Sequence, residues 1–166
     1  MDPPAKPEDD NGESMTGLTF RRATRADLEA IVDLLLDDPL GAAREDGSRP
    51  LNPRYIAGFE AVDRDPNQYL AVVEDGGRII GSLQITFIPS VSRLGMWRGQ
   101  IEAVRITRTR RGEGLGRQMF DWAIAECRQR GCELVQLTMD KTRTESFKFY
   151  EALGFRASHE GFKLSL

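Results

Sequence analysis

The sequence predicts one α+β domain with a mixed, largely antiparallel sheet and about four flanking helices. A hairpin signal, Asp75-Gly76-Gly77, joins two segments of strand character and predicts antiparallel pairing. Farther along, a strand pattern leads through a glycine-rich turn into a long amphipathic helix pattern, and another strand follows. Strand, helix and strand in that order form a right-handed crossover with parallel pairing. The 166 residues suit a single domain with one sizeable core.

The N-terminal half begins with a tail. Residues 1–16 are rich in Pro, Asp and Glu without apolar periodicity, which predicts disorder there and a domain over 17–166. A strand is predicted over 19–22. Thr24 and Asp27 then form a helix N-cap pair. The helix runs through apolar residues at helical spacing, 28–35, until Asp37, Asp38 and Pro39 end it, and a weaker helix pattern covers 54–62.

The remaining elements alternate between strand and helix. The hairpin strands are predicted over 68–74 and 78–88, and the next strand over 97–107 leads into the glycine turn. The long helix, 115–130, carries one apolar stripe, and Gly131 caps it. A strand at 134–139, a helix at 145–153 and two short final strands, near 155–158 and 162–166, complete the domain.

Composition excludes several classes of function. The 23 basic and 26 acidic residues give a net charge of -3, which provides no overall attraction for nucleic acid or an anionic membrane. No run approaches the roughly 18 apolar residues of a membrane span, and the first residues lack a signal-peptide pattern. Cys127 and Cys132 offer neither a metal-ligand spacing nor a disulfide framework, and Cys127 falls on the apolar helix stripe. These features predict a reduced, cytoplasmic protein with a buried Cys127.

A glycine-rich turn is the strongest functional signal. Gly112, Gly114 and Gly116 lie between the strand pattern 101–106 and the helix pattern 115–130. Unpaired backbone N–H groups at the positive end of a helix dipole bind anions, most often phosphate. Three alternating glycines exceed what reversing the chain requires, although a tight turn without a ligand is the simpler alternative. Basic residues concentrate around this turn, which indicates a small anionic partner: Arg105, Arg108, Arg110, Arg111 and Arg117.

Two familiar phosphate sites fit this turn poorly. A Walker loop needs lysine followed by serine or threonine after its last glycine, and here Arg117 and Gln118 follow Gly116. A dinucleotide site would find a ribose-binding acid in Asp140, but its fingerprint is Gly-x-Gly-x-x-Gly, whereas this turn has Gly-x-Gly-x-Gly. The turn also follows a hairpin rather than opening a doubly wound sheet. Nucleoside triphosphates and dinucleotides are therefore disfavoured as ligands.

Three segments together resemble the GNAT family of acetyl-CoA-dependent N-acetyltransferases. They are the strand Ile-Glu-Ala-Val-Arg-Ile over 101–106, the turn Arg-x-x-Gly-x-Gly over 111–116, and the late segment Phe-Tyr-Glu-Ala-Leu-Gly-Phe over 149–155. They occur in the family's order, and the resemblance covers most of the chain. It implies a GNAT-like sheet whose parallel strands splay apart and form the slot that admits the thioester.

The resemblance implies a site for acetyl-CoA as a cosubstrate. Backbone groups of Val104 and Ile106 would pair with the pantetheine arm like an extra strand, and the amides of the turn would hold the pyrophosphate. Many relatives carry an asparagine at position 143; here Arg143 would reach a phosphate, an acidic group of the acceptor, or solvent. No metal site is expected. The implied cofactor-binding residues are Val104, Arg105, Ile106, Arg111, Gly112, Glu113, Gly114, Leu115, Gly116, Arg117 and Arg143.

Acetyl transfer from a thioester to an amine needs a base, an N–H donor for the oxyanion and an acid for the departing thiolate. Glu102 is the candidate base, directly or through water. Strand alternation places it on the same face as Val104 and Ile106, where partial burial would raise its proton affinity. A solvated or ion-paired carboxylate is its alternative. Tyr150, on a short helix, is the candidate acid as in similar family members, with a core aromatic as its alternative.

Three other polar residues lie at positions relevant to the site. Gln100 occupies a position where some family members carry the base, but an amide cannot serve as one. His159 lies near the turn between the last two predicted strands, a region that often borders the acceptor in this family. A polar loop residue is the simpler interpretation of His159. Asp140, at a strand end, has no assigned role.

The sequence therefore predicts an enzyme that transfers acetyl from acetyl-CoA to a primary amine of a small molecule, by direct attack in a ternary complex. Aminoalkylphosphonate acetyltransferases resemble it in Arg-Asp-Pro-Asn at 64–67 and in Ser158-His159, and a protein N-acetyltransferase is another enzymatic alternative. A non-catalytic acetyl-CoA-binding sensor or interaction domain is the alternative outside catalysis. An RNA-binding domain is disfavoured by the acidic charge and by the lack of aromatics among the arginines. Homodimers are common in the family, so a homodimer is an open expectation.

Overall fold

A five-stranded sheet forms the centre of the computed structural model, which describes residues 17–166. Its strands, in spatial order, are β1 (Leu18–Arg22), β2 (Gln68–Asp75), β3 (Arg78–Ile88), β4 (Arg98–Ile106) and β5 (Leu134–Gln136). The pairs β1–β2, β2–β3 and β3–β4 are antiparallel, and the pair β4–β5 is parallel. The predicted fold class is confirmed. The tail predicted over 1–16 lies outside the described residues.

Helices flank both faces of this sheet. They are α1 (Leu28–Leu36), α2 (Pro39–Ala42), α3 (Pro53–Arg64), α4 (Leu115–Gln129) and α5 (Thr144–Ala152). Between β3 and β4 a short turn, Ser92–Gly95, has left-handed φ values of 53° at Arg93 and 60° at Leu94. Across residues 17–166, no helix combines the length and the apolar character that a membrane span requires.

Asp27 closes a capping box around the 3-10 turn Arg25–Asp27, which leads directly into α1. The backbone N–H of Thr24 donates to the Asp27 carboxylate over 2.7 Å, which confirms the predicted capping pair. Asp27 is buried, and Arg21 of β1 donates to the same carboxylate over 2.7 Å. This hydrogen bond from Arg21 holds the pKa of Asp27 below its usual value. The cap therefore also ties the first strand to the first helix.

The sheet separates two hydrophobic cores. On one face, α1 and α3 bury side chains such as Val32 and Phe59 against the sheet. On the other face, α4 buries Met119, Phe120 and Cys127, and α5 packs beside them. Cys127 is fully buried as predicted, and burial raises the pKa of its thiol to about 12.

The C-terminal prediction is wrong in two respects. β5 is three residues long rather than the predicted six, and residues 155–166 contain no strand. Phe162 and Leu164 alternate as a strand requires, but they are 92% and 86% exposed. β5 ends at Gln136, and no described residue after it pairs as a strand, so the alternating pattern of 162–166 has no ladder to extend.

Candidate active site

A β-bulge interrupts β4 at the centre of the site. The register of β4 against β3 shifts between Ser82 and Gln84, so that Ala103 and Val104 together stand opposite one β3 residue. Ala103 has a φ of 52°, a left-handed value that costs a residue with a side chain on the order of 1 kcal/mol. Bulges and strained residues concentrate beside active sites, where they redirect side chains.

The bulge changes the face that Glu102 occupies. Val104 and Ile106 pack on the core that α4 covers. Glu102 instead stands opposite Gln84, which lines a cavity on the α1 and α3 face. The predicted shared face is therefore wrong, because the extra residue reverses the alternation of side chains along the strand. Glu102 is also exposed, so the predicted partial burial is wrong.

A cavity of about 250 Å³ lies between α1, α3 and the sheet. Ala103 borders it, one residue from Glu102, and Gln84 contributes a polar group to its wall. A mostly apolar cavity with a few polar groups is typical of small-molecule sites. The residues that line it include Leu28, Ile31, Leu35, Tyr55, Phe59, Val62, Leu70 and Ser82.

The parallel strands β4 and β5 separate beside the bulge. They pair over 98–100 and 134–136, and the side-chain amide of Gln136 donates to that of Gln100 over 3.1 Å at the end of this ladder. From Ile101 to Ile106, β4 continues with pairing to β3 while β5 has ended. One edge of this segment is therefore open. An open strand edge accepts an extended ligand as if it were another strand, which fits the expected pantetheine arm.

The glycine turn opens α4 as predicted. Gly112 and Gly114 have φ values of 82° and 76°, and Gly114 is the N-cap of α4. A Cβ at either position would meet nothing within 4 Å, so the space beside them is open. Gly116 differs, because its Cβ would lie 3.4 Å from Phe149 and 3.5 Å from Ile106. Two glycines thus suit a phosphate cradle, and the third permits close packing of α4 against α5.

The arginine side chains of the turn are engaged within the protein. Arg110 donates to both Asp75 and Glu113 over 2.6 Å. Arg111 donates to the backbone carbonyl oxygen of Asp37 over 3.2 Å. The backbone amides are therefore the groups of the turn that suit an anion best. The two other predicted turn residues are Leu115, which is buried, and Arg117, whose Nε lies 3.9 Å from Asp121.

Two aspartates after α1 hold arginines from distant parts of the chain. Asp37 forms an ion pair of 2.8 Å with Arg108. Asp38 Oδ2 accepts a hydrogen bond from Arg143 over 2.7 Å and lies 3.7 Å from Arg105 Nη2. Burial acts in the opposite direction, but the hydrogen bond from Arg143 holds the pKa of Asp38 below its usual value. The sequence indicated these aspartates only as the end of a helix.

Tyr150 lies on α5 within an aromatic cluster. Its ring centroid is 5.6 Å from that of Phe120, 5.5 Å from Phe149 and 6.1 Å from Phe155. Burial raises the pKa of its phenol, against the opposing effect of two nearby arginines. A raised pKa keeps the hydroxyl protonated at neutral pH, which a general acid requires. Packing of the ring is thus compatible with the predicted role.

Asp140 and His159 make local contacts. Asp140 accepts hydrogen bonds from the backbone N–H of Thr142 over 2.9 Å and from its hydroxyl over 2.6 Å, as in an Asx turn. His159 is exposed, and its Nδ1 is 2.7 Å from Ser158 Oγ. These contacts stabilise loops and indicate no catalytic role.

The family model for acetyltransferases of the GNAT type matches residues 28–155. The chain belongs to the acetyltransferase (GNAT) family. The matched range includes the bulged strand, the glycine turn and the helix of Tyr150. As a GNAT protein, the chain is an enzyme that transfers an acetyl group to an amine, and members of the family use acetyl-CoA.

Several known proteins are similar to this GNAT chain. Aminoalkylphosphonate N-acetyltransferase from Salmonella typhimurium is 29% identical over 109 residues, 66% of this chain and 70% of that protein. Glucosamine 6-phosphate N-acetyltransferase from Trypanosoma brucei brucei is 37% identical over 90 residues, 54% of this chain and 59% of that protein. A crystal structure from Bacillus halodurans C-125, described as a transcriptional regulator, is 46% identical with a TM-score of 0.87, and the match covers 90% of this chain and 99% of the other.

Sequence patterns missed three features of this GNAT site. The bulge at Ala103 has no local signal, since alanine has no preference for a left-handed φ. The contacts of Asp38 join residues far apart in the chain. The packing role of Gly116 is hidden because glycine also suits a tight turn. For Asp38, and for none of the other features, the sequence contains a local indication: an aspartate before proline is typical of a helix N-cap. In the structure Asp38 is the N-cap of α2 and accepts a hydrogen bond from the backbone N–H of Gly41 over 3.1 Å.

Proposed function

We propose that this GNAT protein transfers acetyl from acetyl-CoA to a primary amine of a small molecule, by direct attack in a ternary complex. The observation that carries the proposal is the open, bulged segment of β4, which lies between the glycine turn and the cavity. The two similar enzymes act, by their names, on an aminoalkylphosphonate and on glucosamine 6-phosphate. Both support a small amine as the acceptor.

The residues present fit acetyl-CoA. The amides of the turn, Arg111 to Arg117, would hold the pyrophosphate at the N-terminus of α4, and the open edge of Val104 and Ile106 would hold the pantetheine arm. When bound, acetyl-CoA supplies the thioester carbon that an amine attacks. The open edge of β4 would hold the pantetheine arm in an extended form beside the bulge.

Two side chains would move the protons of the reaction. Glu102, on the cavity face of β4, accepts a proton from the incoming ammonium group, directly or through water. Its exposure leaves the carboxylate accessible to the incoming amine or to a bridging water. Tyr150 donates its phenolic proton to the departing sulfur, because burial keeps the hydroxyl protonated. The cavity beside Ala103 would hold the rest of the acceptor.

A matched pair of glycine variants tests the cofactor site. Gly114 and Gly77 have φ values of 76° and 79°, and a Cβ at either would meet nothing within 4 Å, so substitution strains both backbones equally. We expect Gly114→Leu to weaken acetyl-CoA binding at least about tenfold in calorimetry, because a side chain would obstruct the cradle. Gly77→Leu, in the β2–β3 turn, would leave affinity unchanged. Equal affinities in the two variants would contradict the cradle.

A screen of amines for free-thiol release separates the enzyme from a sensor. We expect turnover with at least one small primary amine and none with a peptide of neutral side chains. Tight acetyl-CoA binding without turnover across several hundred amines would favour the sensor instead. The similar protein described as a transcriptional regulator gives this alternative its support.

The proposal includes a cytoplasmic location and a homodimeric state. Cys127 and Cys132 are free thiols, which supports a reducing, cytoplasmic environment. A homodimer is supported by exposed apolar side chains near the C-terminus, among them Phe162 and Leu164. Sedimentation equilibrium over a range of concentrations tests the assembly, and a single monomeric species throughout would contradict it.

A further inference from the structure

Arg105 is a buried cation with incomplete compensation. Its side chain is 15% exposed, and its Nη1 donates to the carbonyl oxygen of Val104 over 2.9 Å. Its Nε is buried and has no hydrogen-bond partner within residues 17–166. A guanidinium removed from water without a full set of acceptors is costly, so Arg105 retains donor capacity for a further acceptor.

The charges around Arg105 favour an anion. Asp38 lies 3.7 Å from Arg105 Nη2, but the same carboxylate oxygen is 2.7 Å from Arg143 Nη2. Arg44 and Glu45 also act electrostatically on Arg105, and Glu45 is engaged by a tyrosine hydroxyl at 2.6 Å. Asp140 acts in turn on Arg143 and Arg44, so that the wider region is balanced in charge. Within ion-pair distance, however, Arg105 and Arg143 share one carboxylate among the described residues, that of Asp38. We name Arg105, Arg143 and Asp38 the arginine cluster.

The arginine cluster adjoins the residues proposed to move protons. Arg105 follows Glu102 by three positions on β4, and Arg143 is the N-cap of α5, which carries Tyr150. Both arginines act electrostatically on the Tyr150 phenol. By contrast, Arg110 and Arg117 of the glycine turn contact Asp75, Glu113 and Asp121. The two guanidiniums that share one carboxylate thus lie near the residues proposed to transfer protons.

We propose that Arg105 and Arg143 bind a dianionic phosphonyl or phosphoryl group of the acceptor amine, with Asp38 orienting both guanidiniums. The proposal rests on the proposed function, because it names the class of acceptor. A guanidinium is a planar fork of N–H donors, and two forks match the charge and the several oxygens of a tetrahedral dianion. A carboxylate would bring half that charge. The amine then extends from the cluster toward Glu102.

Steady-state kinetics with two probe amines tests the recognition of the anion. The probes are 2-aminoethylphosphonate and propylamine, which is uncharged apart from its amine. We expect Arg105→Met to raise the KM for the phosphonate by about 30-fold or more relative to the KM for propylamine, both measured at saturating acetyl-CoA. An equal loss with both amines would overturn the proposal, and so would a loss of acetyl-CoA affinity, because the anion would then belong to the cofactor.

Arg22→Met is the matched control for Arg105→Met. Arg22 also has a buried nitrogen, Nη2, without a partner among the described residues, and its guanidinium lies 4.0 Å from the ring centroid of Tyr69. Like Arg105, it therefore has one buried nitrogen without a partner among the described residues, but it lies outside the arginine cluster. We expect this variant to keep the wild-type KM for the phosphonate. A rise equal to that of Arg105→Met would overturn the proposal.

Asp38→Asn tests the charge balance in the other direction, because it removes a negative charge rather than a positive one. Asparagine retains the cap of α2 and removes one negative charge from the cluster. We expect the KM for 2-aminoethylphosphonate to fall several-fold, since the two arginines then lack their internal counter-charge. Thermal unfolding would confirm that the variant is folded. A folded variant with a higher KM would overturn the proposed role of the cluster.

Calorimetry with methylphosphonate tests the anion site independently of whether the protein acetylates an amine. The titration is made with saturating CoA, which occupies the phosphate cradle of the turn. Binding to the wild type that is lost in Arg105→Met would support the anion site even if no amine were acetylated. Turnover of propylamine without any methylphosphonate binding would support the enzyme and overturn the anion site.

Discussion

In the proposed mechanism, single residues carry out the proton transfers. Tyr150→Phe keeps the ring that packs against Phe120, so we expect its thermal unfolding to match that of the wild type. We expect kcat to fall about 100-fold or more, because a positioned general acid contributes on that order. Discontinuous assays of CoA thiol release, made with an acceptor amine that the wild type acetylates, would measure the decrease in kcat. An unchanged kcat would remove Tyr150 from the mechanism.

Burial of Tyr150 also has a consequence for the pH dependence of the reaction. Because the phenol has a raised pKa, it stays protonated above the pH at which an exposed tyrosine ionises. The alkaline loss of kcat that depends on this acid would therefore begin above pH ~10.

Asp27 is a single residue on which stability depends. We expect Asp27→Asn to lower the free energy of unfolding by about 2 kcal/mol at pH 7, because Arg21 would lose one of its two carboxylate partners, Asp27 and Glu74. The hydrogen bond from Arg21 lowers the pKa of folded Asp27 below the unfolded value. Its contribution is therefore fully present above the unfolded pKa, about 4, and is lost as the pH falls through the lower folded pKa.

Urea unfolding between pH 7 and pH 3 would measure this prediction. The difference between wild type and Asp27→Asn should stay constant down to about pH 5 and shrink in more acidic solution. Asp33→Asn is the control, since Asp33 is 66% exposed and pairs with Arg49 on the surface. We expect that substitution to change stability by about 0.5 kcal/mol or less.

At the scale of elements, the contact between β4 and α4 depends on a glycine. A Cβ at Gly99 would lie 3.3 Å from Cys127 Cβ and closer still to its sulfur. We expect Gly99→Ala to lower the free energy of unfolding by about 2 kcal/mol through overpacking. Adding Cys127→Ala should recover part of that loss, which a double-mutant cycle would detect as favourable coupling.

Gly58→Ala is the control for this contact. Gly58 lies inside α3, where a Cβ would meet nothing within 4 Å. Alanine is the better helix former by about 1 kcal/mol, so we expect this variant to be as stable as the wild type or more stable. Equal destabilisation by both alanines would show that the β4–α4 contact is not tight.

The whole molecule has a C-terminal segment that adds little to its own core. Residues 162–166 form no strand, and Leu166 at their end is fully exposed. We expect deletion of 162–166 to leave the thermal midpoint at low protein concentration within about 2 °C of the wild type. If the segment joins two copies, the deletion would abolish the dimer seen by sedimentation. A large loss of stability in the monomer would show that the segment packs on its own domain.

The amino-acid sequence by itself determined the order of the elements, the hairpin, the capped start of α1 and the glycine turn. These features follow from local patterns, because periodicity, capping and turn chemistry depend on residues a few positions apart. The three motifs were sufficient to indicate the family for the same reason. The turn was predicted to bind an anion through its backbone N–H groups, and that prediction requires no knowledge of side-chain contacts.

Tertiary structure alone decided how the site is arranged. The face of Glu102 depends on the bulge at Ala103, which arises from the register of β4 against β3 rather than from any preference of alanine. The arginine cluster exists because folding brings Asp38 to Arg105 and Arg143, far along the chain. Local patterns carry no information about such contacts, since register, burial and long-range ion pairs are settled only when the packed elements meet.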